Sequence, residues 1–501
     1  MKDHDKSMVE VVKSQRLWIL KLVLLVQLML LSYLLYTAIG DGRYFVAHED
    51  EVINFCSAKV FSETGSVQAE GCIAEDVSRI WKMNWYGPGY HLFYGTFKKI
   101  LGDSPVLFIQ LHFVFALITV ALVFLLPQST EIKLLIANAL VFTQQFTAYI
   151  FTYFPEALHL LFAILLILLL TSVYHAKTTP ERNRRIALFI AIVMIISIAR
   201  VTTVFWLAAL IGLSESRKMA LKMTVVFAIC LSIVLVYMKW FTAPPYAGEM
   251  QKIDQLYQFD LFGFVWKTVQ AMARNTYLLI ISGSLSVYFL LMLLVVAMVR
   301  WWKTRERFLR GALLVSLALM AALMAFYSSY PWYFLKQSAV LVPLLLVGLM
   351  ISSSATGIKY FIVAISLVTY FFTFLEVRNI IRERRDAFVR VENGQPFSEA
   401  LQQLPQFIAE PGSVVILWCY NEYDFGGATE ALLPFATKDH RPILYTSNII
   451  LKDEKPEVRF KLHHKLKVDY MLSRYPVDWP LLQEVYSTAY FHFYKVKQPG
   501  D

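Results

Sequence analysis

The 501-residue chain has few charged residues for its length: 17% are Asp, Glu, Lys or Arg, whereas 57% are hydrophobic. This composition excludes a water-soluble enzyme, a secreted domain and a nucleic-acid reader. Long apolar runs at 17–39, 106–126 and 278–299 each reach the roughly 20 residues that cross a hydrocarbon layer about 30 Å thick. The sequence therefore predicts a polytopic α-helical membrane protein.

Motifs for nucleotides and structural metals are also missing. No GxGxxG loop, Walker-type loop, HExxH or paired CxxC occurs in a usable setting. No motif therefore supports a nucleotide-sugar donor, a reaction driven by ATP or a structural zinc site. Four cysteines are too few for a disulfide scaffold; Cys56 and Cys72 share one polar loop, and pairing or chance co-location are both open. No small-residue cleavage site follows the first apolar run, which predicts a retained anchor.

Basic residues between the apolar runs predict the orientation, because Lys and Arg that flank a span stay on the cytoplasmic side. The net charge of +10 reports this topology rather than a polyanionic partner. The run 186–213 holds Arg200 near its middle, and two short helices that turn near Arg200 keep every basic loop inside. This gives about eleven spans, with the N-terminus inside and the C-terminus outside.

Two predicted outer loops are long enough to carry function. The first, residues 40–103, is predicted to contain a helix over 50–65 and an amphipathic helix over 92–101. The second, residues 241–276, has apolar residues at helical spacing over 261–272, which predicts a helix that lies flat in the membrane interface.

A change of composition after residue 376 predicts a second domain. Residues 1–376 are predicted as the membrane domain and residues 377–501 as a C-terminal domain outside the membrane. Polar segments such as 479–486 are predicted as helix or loop. Short apolar runs predict the strands of a small α/β domain at 414–418, 442–445, 468–472 and 490–496.

Candidate chemistry lies on the predicted outer side. Asp50 and Glu51 follow the first span, where a carboxylate beside an acceptor hydroxyl can act as general base; the alternative is that Asp50 caps the following helix. An aromatic turn at 85–91 suits stacking on a sugar or anchoring at the headgroups. Glu156 opens the fourth span, where an ionisable group is either functional or solvated at the interface.

Two cations complete the set of candidates. A guanidinium inside an apolar run costs about 2.5 kcal/mol or more unless it is compensated. Arg200 could clamp a phosphate with its fork or form a salt bridge to a loop carboxylate. Lys336 lies at the outer edge, where it could bind a lipid phosphate or extend to the interface.

Taken in order, these elements resemble the GT-C superfamily of membrane glycosyltransferases, the class of protein O-mannosyltransferases and lipid A aminoarabinose transferases. The resemblance covers most of residues 17–375. Lys336 stands where these enzymes more often have Arg, and Gly89 where they have Pro or Leu. The elements that carry it are Asp50-Glu51, the turn 86–90, Glu156, Arg200 between two short helices, and residues 336–343.

The resemblance implies a donor sugar on a polyprenyl phosphate, which enters from the bilayer and is transferred with inversion to a lipid, glycan or protein acceptor. It makes Asp50 the general base, with Glu51 orienting the acceptor or Arg200. Arg200 and Lys336 then stabilise the departing phosphate. The residues implied in binding the acceptor are Glu156, Tyr86, Tyr90 and His91.

Several alternatives stay open at this stage. Asp50 and Glu156 permit a divalent cation, although the expectation is no obligatory cofactor. A transporter is the main rival, although no internal repeat of the transporter kind is visible. A glycan ligase would use a polyprenyl-diphosphate donor, and an acyltransferase and a membrane scaffold are further alternatives. A bacterial plasma membrane is the expected location; the sugar, the acceptor and the carrier, undecaprenyl or dolichyl, are not predicted.

Overall fold

The computed structural model describes residues 2–40, 49–67, 88–102, 104, 106–241, 260–326, 331–352, 356–407, 414–417, 443–445, 470–473 and 476–497. Helices make up most of this part of the chain. A 3-10 helix, Val201–Leu207, precedes α9. The helices are α1 (Lys2–Ile39), α2 (Glu49–Thr64), α3 (Gly89–Leu101), α4 (Leu107–Val123), α5 (Thr130–Val141), α6 (Gln144–Ile150), α7 (Glu156–Tyr174), α8 (Thr179–Ala199), α9 (Ala208–Leu213), α10 (Arg217–Phe241), α11 (Leu261–Ser282), α12 (Leu285–Thr304), α13 (Arg307–Phe326), α14 (Pro331–Ser352), α15 (Thr356–Val389) and α16 (Phe397–Gln403).

Six of the described helices are long and apolar enough to cross a membrane by length and composition: Ser14–Ile39 of α1, α7, Arg217–Met238 of α10, α12, Arg307–Ala325 of α13 and Gly357–Asp386 of α15. Shorter apolar helices lie at Leu107–Val123, Val201–Leu213 and Ser338–Ser352. The protein is an integral, multi-pass membrane protein, as predicted. The count of eleven spans stays a prediction.

Helix α14 lies at the centre of the bundle, against α5, α6, α7, α12 and α13. All its residues from 338 to 350 are buried. Next to it, α9 and α13 cross so closely that a Cβ on Gly212 would lie 2.3 Å from the Cα of Gly311. The core is thus a helix bundle in which small residues allow close approach of backbones.

Contacts between the ends of helices fall into two sets, one at each end of the bundle. At one end, Glu215 pairs with both Arg182 and Arg307. At the other end, the Nη1 of Arg385 donates to the carbonyl of Thr37 at 3.2 Å, which joins the ends of α15 and α1. Which end of the bundle faces the cytoplasm stays a prediction.

The predicted break near Arg200 is present, but the helix before it, α8, has 21 residues and is not short as predicted. Arg200 has an extended backbone, with φ −145° and ψ 104°, between α8 and the 3-10 helix. The prediction of a single membrane-spanning helix over 278–299 is wrong, because α11 ends at Ser282 and α12 begins at Leu285. A Cβ on Gly283 would lie 2.5 Å from the carbonyl oxygen of Leu279, so glycine fits this break. Helix α11 therefore extends well beyond the predicted interfacial segment.

The C-terminal part contains a sheet of five strands in the order β4-β3-β5-β7-β6 and a small hairpin of β1 and β2. Strand β3 pairs in parallel with β4 and β5, while β7 pairs antiparallel with β5 and β6. The hairpin turns through Asn393 and Gly394, both with positive φ, as its tight turn requires. The strands are β1 (Val391–Glu392), β2 (Gln395–Pro396), β3 (Val414–Leu417), β4 (Ile443–Tyr445), β5 (Tyr470–Ser473), β6 (Leu482–Ser487) and β7 (His492–Val496).

The predicted strands at 414–418, 442–445, 468–472 and 490–496 are all present, within a few residues. The prediction of helix or loop over 479–486 is wrong, because β6 pairs there with β7 at the edge of the sheet. An edge strand keeps polar residues, and its pairing outweighs its local pattern. Helix α15 is continuous across residue 376, so the domain division at that residue stays a prediction.

Candidate active site

The turn between α6 and α7, residues 151–155, lies at the centre of the candidate site. The backbone N–H of Tyr153 donates to Oε1 of Glu51 at 2.9 Å. The carbonyl of Tyr153 accepts from the hydroxyl of Tyr90 at 2.7 Å. One residue of this turn therefore holds α2 and α3 together through its backbone.

A buried ion pair lies beside the turn. The Nη1 of Arg200 is 3.1 Å from Oε1 of Glu156, the first residue of α7, and the two residues are 7% and 0% exposed. The same Nη1 contacts Nδ1 of His159, and Nε donates to Oγ1 of Thr202 at 3.3 Å. This ion pair compensates the charge of the guanidinium within the apolar bundle. Of the two interpretations of Arg200, it corresponds to the salt bridge with a carboxylate.

Lys336 reaches the same turn from α14. Its side chain is buried, with the residue 3% exposed, and Nζ lies 4.5 Å from the ring centroid of Phe154. A cation over an aromatic ring is stabilised by the ring quadrupole. The turn and its neighbour thus contact the predicted site residues in sequence: Tyr153 contacts Glu51, Phe154 contacts Lys336, and Glu156 contacts Arg200.

Glu51 is fully buried and has a partner near the C-terminal end of α15. The Nη2 of Arg384, near the end of α15, lies 3.0 Å from Oε1 of Glu51. The carboxylate that pairs with Arg200 is instead Glu156. The expected role of Glu51 in orienting Arg200 is therefore filled by Glu156.

Helix α3 forms an aromatic wall on the site. Tyr90 stacks on Tyr94 at a centroid distance of 4.2 Å, and the Tyr94 hydroxyl is 2.7 Å from Nε2 of His112. Burial, with added repulsion from Tyr94 and the charges of Glu51 and Glu156, raises the pKa of Tyr90 well above its usual value. The hydroxyl of Tyr90 is thus a neutral hydrogen-bond donor at physiological pH.

The start of α3 touches the end of α8. A Cβ on Gly89 would lie 2.1 Å from the Cβ of Ala199, the residue before Arg200. His91, one of the expected acceptor contacts, is fully buried in α3. Glycine at position 89 therefore allows the aromatic wall to sit directly against the Arg200 turn.

Some expected residues lie outside the described part. Asp50 lies in the first turn of α2, which begins at Glu49, but its side chain is outside the described residues. Tyr86, Cys72 and the side chain of Cys56 are outside them as well. Sequence reasoning missed the following contacts of the site: Tyr153, His159 and Arg384.

Oxygen and nitrogen ligands for a metal are sparse among the described side chains. No group of three or more His, Cys, Asp and Glu residues comes together there. The Oε2 atom of Glu156 is buried and has no hydrogen-bond partner within the described part of the chain. Its missing partner distinguishes Oε2 from Oε1, which pairs with Arg200.

No family model and no curated protein matches the sequence. Solved structures do match its fold. ArnT from Cupriavidus metallidurans bound to undecaprenyl phosphate superposes with a TM-score of 0.56 at 8% identity, over 94% of this chain and 97% of ArnT. Its apo state gives a TM-score of 0.50 at 11% identity, with the same coverage of both chains.

The oligosaccharyltransferase of Archaeoglobus fulgidus, in complex with Zn and sulfate, matches with a TM-score of 0.52 at 13% identity. The match covers 90% of this chain and 68% of that protein. The chain has the GT-C fold. In this GT-C fold, the contacts of residues 153–156 bring together the side chains of Glu51, Arg200 and Lys336 from three separate helical regions.

Proposed function

We propose that the protein is an integral-membrane glycosyltransferase that moves a sugar from a polyprenyl-phosphate donor to a lipid, glycan or protein acceptor. The observation that carries this proposal is the gathering of Glu51, Lys336 and Arg200 on the turn and helix start at 153–156. Two carboxylates, Glu51 and Glu156, and three cations, Arg200, Lys336 and Arg384, meet there at one end of a GT-C bundle. The expected location is a bacterial plasma membrane, with the site on the outer face.

Two of these cations suit the phosphate of the donor. Arg200 offers a guanidinium whose Nη1 and Nε are already held by Glu156 and Thr202, and Lys336 offers a compact ammonium beside Phe154. Cations aimed at the phosphate stabilise charge that grows on the leaving group. Support for this donor class comes from the shared fold of ArnT, which was solved with undecaprenyl phosphate.

The reaction needs a base for the acceptor. In the proposed step, a carboxylate oxygen of Asp50 removes the proton of the acceptor hydroxyl while the oxygen of that hydroxyl attacks the anomeric carbon. The bond between this carbon and the phosphate oxygen breaks, and polyprenyl phosphate leaves with the electron pair, inverting the anomeric centre. Asp50 suits this role better than its neighbour Glu51, because Glu51 is fully buried and already bonded to Arg384 and Tyr153.

The acceptor would lie between the base and the aromatic wall. We propose that Oε2 of Glu156, which is buried and has no partner within the described part of the chain, accepts a hydrogen bond from an acceptor hydroxyl. We propose Tyr86 as a direct contact of the acceptor, and Tyr90 and His91, both buried in α3, as further parts of the acceptor site. Carboxylate oxygens of Asp50 and Glu156 could hold a divalent cation, which would neutralise phosphate charge. We propose that no cation is obligatory.

A ligase that moves a preassembled glycan from a polyprenyl diphosphate is the second candidate. It is favoured by the match to the oligosaccharyltransferase fold, whose TM-score is close to that of ArnT. Both candidates use the same cations, so the donor itself separates them. One phosphate with one sugar supports the transferase, and two phosphates with a long glycan support the ligase.

Native mass spectrometry of the gently purified protein tests the proposal. The expected result is a co-purifying polyprenyl phosphate, with or without a sugar, that is depleted in the Lys336→Gln variant. The Lys359→Gln variant, at the other end of the bundle, is the matched control and should retain the lipid. Retention of ordinary phospholipids alone in all three proteins would contradict the proposal and favour a transporter.

A further inference from the structure

Arg384 lies near the end of α15, more than three hundred residues from the proposed base. Its Nη2 is 3.0 Å from Oε1 of Glu51, and the two side chains are 6% and 0% exposed. The same oxygen accepts the N–H of Tyr153 at 2.9 Å. Glu51 is therefore held from two directions, by a charged side chain and by the backbone of the turn.

Glu51 directly follows Asp50 in the first turn of α2. The first N–H groups of a helix have no partner within the helix, so a first turn frays unless outside contacts hold it. The buried Glu51 carboxylate supplies such contacts. Fixing Glu51 therefore also fixes the backbone of Asp50.

The same turn of α15 holds the preceding helix. Arg385 donates from Nη1 to the carbonyl of Thr37, near the end of α1, at 3.2 Å. Two successive arginines thus contact the end of α1 and the start of α2. These contacts set where α2 begins relative to the membrane domain.

Helix α15 is in turn tied to the C-terminal sheet. The guanidinium of Arg390 lies over the rings of Phe397 and Tyr490, at 4.2 and 4.7 Å from their centroids. The Tyr490 hydroxyl donates to the carbonyls of Arg390 and Gln395, at 3.1 and 2.7 Å. The chain that follows Arg384 is therefore also fixed, through Arg390.

We infer that Arg384 is a positioning residue, which holds Asp50 in place for proton transfer through the buried carboxylate of Glu51. The inference rests on the proposed function, because it assigns Arg384 a part in the transfer reaction. The contribution of Arg384 is geometric, and misplacement of a catalytic group by about 1 Å can cost roughly 100-fold in rate.

Hydrogen exchange of the full-length protein in detergent tests the coupling without any substrate. Arg384→Gln is expected to speed exchange of amides in residues 49–58 by roughly tenfold or more, as expected for losing a hydrogen bond to a charged group. Glu51→Gln should do the same, and the double variant should exchange no faster than the more affected single variant. Arg382→Gln is the matched control, since Arg382 is exposed and pairs only loosely with Asp386, at 4.0 Å.

A kinetic measurement then separates positioning from donor binding. With the donor identified by mass, Arg384→Gln should lower kcat by up to roughly 100-fold, while the KM for the donor stays near that of the unaltered protein. If Arg384→Gln does not fold, Arg384→Lys keeps the charge without the fork and should give intermediate exchange and kcat.

Unchanged exchange and kcat in Arg384→Gln, or single effects that multiply in the double variant, would overturn the inference. A rise in donor KM with unchanged kcat would also overturn it, because it would place Arg384 in donor binding. If the unaltered protein transfers no sugar, the proposed function fails. The exchange result then still decides whether Arg384 holds α2.

Discussion

Arg200 and Glu156 form a buried ion pair, with Nη1 and Oε1 3.1 Å apart, at the point where α7 begins and the chain turns after α8. The pair explains how a guanidinium is accommodated in an apolar region, because a buried charge needs a partner and hydrogen bonds. It also fixes the Arg200 guanidinium beside the turn of residues 151–155. Stability and the proposed chemistry therefore depend on the same two side chains.

Glu156→Gln should destabilise the protein strongly, because it leaves the buried Arg200 charge uncompensated. Breaking such a pair typically costs about 3–5 kcal/mol. The measurement is the midpoint of thermal unfolding in detergent, followed by tryptophan fluorescence. Glu181→Gln, which breaks a half-exposed pair with Arg185, should cost under about 1 kcal/mol. Equal shifts in the two variants would argue that the Arg200 pair is solvated.

The local features of this site could largely be predicted from the sequence. The start of α2, the amphipathic α3 and the turn at Arg200 follow from helical spacing and from a charge that an apolar run cannot hold. The break at Gly283 carried a signal as well, since glycine between two serines favours the end of one helix and the cap of another.

The contacts that join these features could not be predicted in the same way. Arg384 and Glu51 are 333 positions apart, and spacing carries no information on such a pair. Tyr153 acts through its backbone N–H and carbonyl, which almost every residue has, so no residue type marks its role. The sequence of β6 is polar because β6 is an edge strand. Only its pairing with β7 identifies the segment as a strand.

Asp50→Asn keeps the size of the side chain and removes the base. Transfer from the donor identified by mass should fall by roughly 100-fold or more, while the amount of protein and of co-purified lipid stays unchanged. Glu49→Gln, one residue earlier in the same helical turn, is the matched control and should transfer normally. Near-normal transfer by Asp50→Asn would leave Asp50 only a role at the start of α2.

Lys336→Gln should weaken binding of undecaprenyl phosphate by roughly tenfold or more, because a hydrogen bond to a charged group is lost. Lys336→Arg keeps the charge over Phe154 and should retain most of the affinity. Titration of the purified protein with undecaprenyl phosphate, followed by native mass spectrometry, gives both affinities. Equal affinity in Lys336→Gln and the unaltered protein would place the phosphate elsewhere.

Glu215, at the opposite end of the bundle, should contribute a pH-dependent stability. Hydrogen bonding from Arg307, reinforced by the charge of Arg182, lowers the pKa of Glu215 below its usual 4.5. A lowered pKa contributes stability that is fully present above the unfolded value and is lost as the pH falls through the folded value.

Glu215→Gln should therefore lower the free energy of unfolding at neutral pH by under about 1 kcal/mol, because the pair is partly exposed. The midpoint of thermal unfolding should fall slightly as a result. The difference from the unaltered protein should vanish at a pH well below 4.5. Thermal scans of both proteins across this range provide the measurement. A difference that persists in acid would show that Glu215 stabilises the loop by packing rather than by charge.

Gly89→Ala tests the contact between the aromatic wall and the Arg200 turn. A methyl group at position 89 would lie 2.1 Å from the Cβ of Ala199, so α3 must move away from the end of α8. Overpacking of this kind typically costs about 1–3 kcal/mol, and here it also shifts Tyr90 and Arg200 relative to each other. Gly357→Ala is the matched control, since a Cβ there meets nothing within 4 Å. We expect a lower unfolding midpoint and weaker binding of undecaprenyl phosphate only in Gly89→Ala; unchanged values in both variants would show that α3 adjusts without disturbing the site.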